Sequence, residues 1–236
     1  MLSRSYTLEP VLDIESARQA GELCRVVHQI ATTDENAPDN PLFNFLQAVG
    51  AKPVNGEYAW LLYFAIRDTA HRIVGSVGVF QQNQTYVCDP NLMAAVHTGW
   101  VFVSDAHRGL GLATRSVAWM MRLAHRVGFS SFFTLMDTPA GQPPKGRSIY
   151  QARLKMSPLE EQNVDPYFVR KMTSLYSGCD LYYLSVPDLA GHQTHIDEVI
   201  GAATINRSQV PLVVDETLCL GVLHRTIARA PDGAFA

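Results

Sequence analysis

Cysteine is scarce and scattered: Cys24, Cys88, Cys179 and Cys219 are spread over 236 residues with no C-x-x-C pair. That spacing argues against both a zinc site and a disulfide framework, and leaves four ordinary thiols. His192 and His195 stand three apart, but no third ligand follows at a useful spacing, so no metal is expected. Basic charge is also in short supply. Nineteen Lys and Arg face 22 Asp and Glu, a net charge of −3 with pI near 6.2, which disfavours a nucleic-acid partner. Long apolar runs are missing too. Stretches such as Ala59–Ile66 fall well below the roughly 20 residues of a spanning helix, and Met1-Leu2-Ser3-Arg4 lacks an apolar secretory region. The expectation is a cytoplasmic protein with no membrane association.

What is present is enough for a full core. Hydrophobic residues make up 47% and charged residues 17%, and the length suits one domain, 1–236. Tyr6–Glu9 reads as a short strand and Ile14–Ile30 as a helix capped by Asp13. Turn formers from Thr32 to Pro41 precede a second helix, Leu42–Val49. Strands follow at Tyr58–Ile66 and Ile73–Phe80, joined by a turn near Asp68–His71, then at Val96–Val103. A helix runs to Val127, and Phe129–Met136 is the next strand. Beyond a proline- and glycine-rich loop, Asp137–Gly146, helices are expected at Arg147–Lys155 and Asp165–Tyr176, with late strands at Leu181–Val186 and Val210–Asp215. The core is thus about 5–186 plus a strand near 210–216. Residues 187–209 read as an insertion and 217–236 as a tail, neither with an assigned role.

The most informative stretch is Arg108-Gly109-Leu110-Gly111-Leu112-Ala113, between the apolar run Val101-Phe102-Val103 and an amphipathic segment from Thr114. Strand, glycine turn and helix in that order leave backbone N–H groups at the helix start, where the macrodipole favours an anion. Glycine at 109 and 111 permits positive φ and lets a ligand lie against bare backbone. A P-loop would need Gly-Lys-Ser/Thr after the glycines, and the dinucleotide fingerprint a further glycine at 114, where Thr114 stands. Neither pattern is met. A diphosphate is the expected guest.

The spelling Arg108-x-x-Gly111-x-Ala113, with Val103 five residues before it, resembles the acyl-CoA signature of the GNAT N-acetyltransferases. The order β-α-α-β-β-β-α-β extends that resemblance from about Tyr6 to Met136. It implies an α/β fold with a central mixed sheet flanked by helices, splayed at the CoA cleft, here with a C-terminal extension. It also implies acetyl-CoA as co-substrate and transfer of its acetyl group to a primary amine by direct attack in a ternary complex. Arg108, Gly109, Leu110, Gly111, Leu112, Ala113 and Thr114 would hold the pyrophosphate, and the pantetheine would pair with Val101, Phe102 and Val103. The Val101 amide would polarise the thioester carbonyl.

The glutamate base of the family's histone-acetylating members aligns with His97, eleven residues before Arg108, and Glu57 and Asp137 are alternatives. On a regular strand His97, Gly99, Val101 and Val103 would share one face. Tyr150 stands where the family has its general acid, although Pro143 and Gly146 replace the usual Asn and Ala; Tyr176 is the second candidate. Lys145, Arg147 and Arg115 could meet the adenosine phosphate. The acceptor is a small-molecule or peptide amine. Asp34, Glu35 and Asp39 would attract a cationic one, and Trp60, Tyr63, Trp100 and Phe102 could line its pocket. A homodimer stays open. So do a longer acyl donor, an acyl-homoserine-lactone synthase, which generally lacks this turn, and a non-catalytic acyl-CoA sensor.

Overall fold

The computed structural model describes residues 5–37, 40–53, 58–82, 95–142, 146–201 and 210–230. Eight strands form one mixed sheet: β1 (Tyr6–Pro10), β2 (Tyr58–Arg67), β3 (Ile73–Gln82), β4 (Ala95–Val103), β5 (Ser131–Pro139), β6 (Ser157–Pro158), β7 (Cys179–Val186) and β8 (Leu212–Val214). Their spatial order is β6-β7-β5-β4-β3-β2-β1-β8. The helices are α1 (Ile14–Val27), α2 (Pro41–Ala48), α3 (Leu112–Arg126), α4 (Pro166–Leu175), α5 (Leu189–Gly201) and α6 (Glu216–Ala228).

Helix starts follow from side-chain caps. Asp13 accepts from Ser16 N, Asn40 from Leu42 N, Asp165 from Tyr167 N and Phe168 N, and Asp215 from Leu218 N, each satisfying donors that the first turn leaves over. Two faces of the sheet are covered. On one, α3, α5 and α6 bury Phe64, Val77, Leu112, Met120, Ile196 and Leu223 in the main core. On the other, α1 and α2 bury Ala17, Ala20, Cys24 and Phe45 against Tyr63, whose ring stacks on Phe45 at 3.9 Å.

The expected strand and helix order holds from Tyr6 onward, with shifted ends. β5 begins at Ser131 rather than Phe129, because Gly128, at φ 102°, ends α3 and Phe129 N still bonds Ala124 O. β5 then runs to Pro139, into residues expected to be loop. The helix expected at Arg147–Lys155 is a single π turn, Ser148–Arg153. The insertion is α5, packed on α3, and the tail is α6, packed beneath β1 and β2. Among the described residues no helix is long and apolar enough to cross a membrane.

Candidate acyl-CoA cleft

The parallel pair β4–β5 is laddered from Ala95↔Ser131 to Thr98↔Thr134. Past that point each strand keeps its outer partner, β4 to Gly75↔Val103 and β5 to Pro139↔Cys179. The inner edges therefore part and form a fork.

A bulge shapes one prong. Between Ser76↔Phe102 and Gly78↔Gly99, two steps on β3 face three on β4, and Trp100 sits at φ 51°. The extra residue resets the alternation of faces. Val101 and Val103 pack toward α3, whereas His97 lies on the opposite face with Trp100 and Phe102. The regular-strand expectation that His97 shares a face with Val101 and Val103 is thus corrected by the bulge.

The turn after β4 has the conformation its glycines allow. A 3-10 turn, Asp105–His107, leads to Gly109 at φ 78° and Gly111 at φ 71°. A Cβ added at Gly109 would meet nothing within 4 Å, so the space before the turn is open and the glycine serves backbone conformation. The first bond of α3 runs from Arg115 N to Gly111 O, 3.0 Å, so the amides of Leu112, Ala113 and Thr114 precede its ladder. No side chain caps this helix at Gly111. These features fit a diphosphate: an open approach, a helix start and glycine backbone.

The charged residues around the turn mostly brace it. Arg108 Nε donates to Val103 O at 3.1 Å, and its guanidinium pairs with Asp105 at 2.9 Å, both side chains being largely exposed. Tyr6 hydroxyl and His107 Nδ1 share a 2.7 Å hydrogen bond. Arg115, offered by the sequence as a phosphate ligand, is buried and committed elsewhere. Its Nη2 donates to Val210 O at 2.9 Å and to Leu110 O at 3.4 Å, which ties the C-terminal segment to the turn. Arg147 is exposed, while Lys145, Pro143, Glu57 and Asp39 lie outside the described residues.

At the vertex of the fork stands Tyr150. Its ring is buried in the core below α3 and its hydroxyl lies near the side chain of Thr134, the last residue of the parallel ladder, whose Oγ1 donates to Thr98 O at 3.2 Å. Burial pushes its pKa up to about 12, against a lowering effect of the neighbouring Thr134 hydroxyl. Tyr176, at the end of α4 on the opposite face, is also raised to about 12, by burial and then by the charge of Asp137. Both phenols are protonated at neutral pH.

His97 is buried, with Phe133 4.6 Å and Phe80 5.6 Å away between ring centroids. Burial drives its pKa down to about 3. A second imidazole, not singled out by the sequence, lies on the same face and is exposed. His28 follows α1 directly and presents its ring edge-on to Trp100 at 6.0 Å and Phe102 at 6.2 Å. The residue is exposed overall, and its pKa is lowered, mainly by loss of hydration where the ring meets its neighbours, with Asp137 pulling upward and Arg108 pushing downward. The helical stripe Ala17, Gly21, Cys24 continues at i+4 to His28, the signal that could have found it.

Of the four aromatics expected around an acceptor, Trp60 donates to Gln81 Oε1 at 3.0 Å and packs beside Phe129. Tyr63 is core, so Trp100 and Phe102 are the pair that meets His28. In the acidic loop, Glu35 pairs with Arg18 at 2.7 Å and Asp34 accepts from Asn36 N at 2.9 Å.

A parallel pair opened onto a glycine-led helix start defines an α/β acyltransferase fold. A sequence profile of the Acetyltransferase (GNAT) family matches residues 18–143, more than half of the 236, and the chain belongs to that family, which binds acyl-CoA. The fold is shared with variant forms of the spermidine/spermine N-acetyltransferase SpeG from Vibrio cholerae, at TM-score 0.52 and 10% identity over 80% of this chain and 97% of that one. It is shared as well with an acetyltransferase of the GNAT family from Staphylococcus aureus, at TM-score 0.50 and 11% identity over 77% and 98%. No curated protein matches the chain significantly in sequence.

Proposed function

We propose that the chain transfers an acetyl group from acetyl-CoA to a primary amine, by direct attack in a ternary complex. The observation that carries this reading is the fork: Tyr150 hydroxyl stands where the β4–β5 ladder ends, and the glycine turn follows the far end of the β4 prong. The amides of Leu112, Ala113 and Thr114 at the helix start, with Arg108 beside them, would hold the pyrophosphate. The freed inner edge at Val101, Phe102 and Val103 takes the pantetheine arm as a strand would.

The amine nitrogen bonds to the thioester carbon, and Val101 N–H stabilises the oxyanion. A proton leaves the nitrogen, the C–S bond breaks, and Tyr150 hydroxyl returns a proton to the thiolate. His28, with Asp137 nearby, is assigned the proton from nitrogen. His97 is the competing assignment, and its pKa of about 3 makes it the poorer acceptor at neutral pH. The solved spermidine/spermine enzyme of like fold makes a polyamine a reasonable first acceptor to try.

The test is thiol release from acetyl-CoA with a panel of spermidine, an aminoglycoside and a peptide with a free amino terminus. One amine should be turned over and gain an acetyl group by mass. Saturable acetyl-CoA binding with no amine turned over would favour the sensor reading instead. Tyr150→Phe should lower kcat about 10²-fold while the KM for acetyl-CoA stays within about twofold, since the phenol acts after binding.

A further inference from the structure

α5 carries two histidines on adjacent turns, and both reach the segment that holds Tyr150. His192 Nε2 lies 2.8 Å from Leu154 O, and His195 Nε2 lies 2.8 Å from Arg153 O. A carbonyl oxygen only accepts, so Nε2 carries the proton on both rings. The rings meet edge to face at 5.2 Å, and His195 Nδ1 faces Glu198 at 3.5 Å. The helix that presents them is itself anchored. Leu189 N donates to Ser130 O at 2.8 Å, Ile196 is buried, and Asp197 pairs with Arg122 of α3 at 2.9 Å.

The two carbonyls belong to the end of the π turn Ser148–Arg153, where a helical segment runs out of its own donors. One turn of this kind has little stability of its own. Its start is fixed by contact: a Cβ on Gly146 would collide with the Met136 side chain. Tyr150 N donates to Gly146 O and Tyr150 O accepts from Met156 N, both at 2.9 Å. At the far end Leu154 N donates to Ile149 O at 2.9 Å and Leu154 and Met156 are buried, and the two imidazoles take the carbonyls of Arg153 and Leu154.

We infer that His192 and His195 are positioning residues for Tyr150, fixing its hydroxyl at the vertex of the fork by clamping the carbonyls of Arg153 and Leu154. This rests on Tyr150 being the general acid. A helix that sequence reasoning left without a role thereby becomes part of the catalytic apparatus without touching substrate.

The full chain serves for the test, in two readings on the same variants. Amide hydrogen exchange over residues 146–156 reports whether the clamp holds the turn, and kcat with the fastest amine of the panel reports whether that matters. The His192→Ala/His195→Ala double variant should exchange faster there and lose about tenfold in kcat, with the KM for acetyl-CoA within about twofold. The paired Gln variant, whose side-chain amide can donate to the same carbonyls, should recover most of both. In a Tyr150→Phe background the double Ala change should cost less than about twofold further, because residues acting as a unit are not additive.

Faster exchange with unchanged kcat beside an impaired Tyr150→Phe would overturn the inference alone, leaving the histidines as caps. An undiminished kcat loss in the Tyr150→Phe background would also overturn it. Wild-type turnover in Tyr150→Phe, or no amine turned over, would remove the acid assignment and this inference together.

Discussion

His28 and His97 lie on the same face of the sheet, and their surroundings give them different chemistry. His28 titrates below the usual 6.5 but retains the favourable charge of Asp137, whereas burial takes His97 down to about 3. If His28 accepts the proton, kcat/KM should fall as pH drops through its lowered pKa, since the imidazolium cannot accept. His28→Gln should abolish that acid limb. An acid limb near pH 3 that survives this change and disappears in His97→Gln would transfer the role to His97.

His97 also links to stability. Its folded pKa lies below the unfolded value of about 6.5, so its contribution is complete above that value and is lost as pH falls toward about 3. His97→Phe should flatten the fall in urea midpoint between roughly pH 6 and 5, whatever its effect on absolute stability. The position of His97 was legible as a candidate because it stands eleven residues before Arg108, where the resemblance puts a base. Its burial was not, because the Phe80 and Phe133 that enclose it come from neighbouring strands.

The glycine turn and the bulge of β4 differ in how plainly the sequence announces them. The turn is written locally: Gly109 and Gly111 both adopt the positive φ that their identity permits. The bulge has Trp100 at φ 51°, a conformation rare for such a residue. Tertiary pairing with β3 imposes it, so counting by twos from His97 placed Val101 on the wrong face. Gly111→Val should destabilise the fold by about 1–2 kcal/mol and remove the rise in melting temperature that coenzyme A gives. Gly111→Asn, which tolerates a left-handed backbone, should keep most of that rise. An equal rise in the Val variant and the parent would detach ligand binding from the turn.

Across the whole molecule, what was readable is what depends on neighbours in sequence. The Asp13 cap and the apolar stripes placed most elements between Tyr6 and Met136 to within a few residues. The C-terminal extension was opaque because its partners are distant. β8 pairs with β1, at Tyr6↔Leu212, and Val210 accepts from Arg115 across 95 residues. No local pattern encodes such a contact. Arg115→Met keeps the bulk and removes two hydrogen bonds from a charged donor, so a loss of about 3 kcal/mol is expected, measured by urea unfolding. Coenzyme A affinity should fall with it, since the same guanidinium reaches Leu110 O in the turn. A normal affinity in a destabilised Arg115→Met would show that the extension supports the fold alone.

Whether the turn grips a diphosphate through main-chain hydrogens is tested most directly by calorimetric titration of the full chain with coenzyme A beside pantetheine, which shares the arm but has no pyrophosphate. Coenzyme A should give saturating heat, with pantetheine about 100-fold weaker or more, a gap of about 2.7 kcal/mol. Equal affinity for the two, or no heat with coenzyme A, would contradict the assignment.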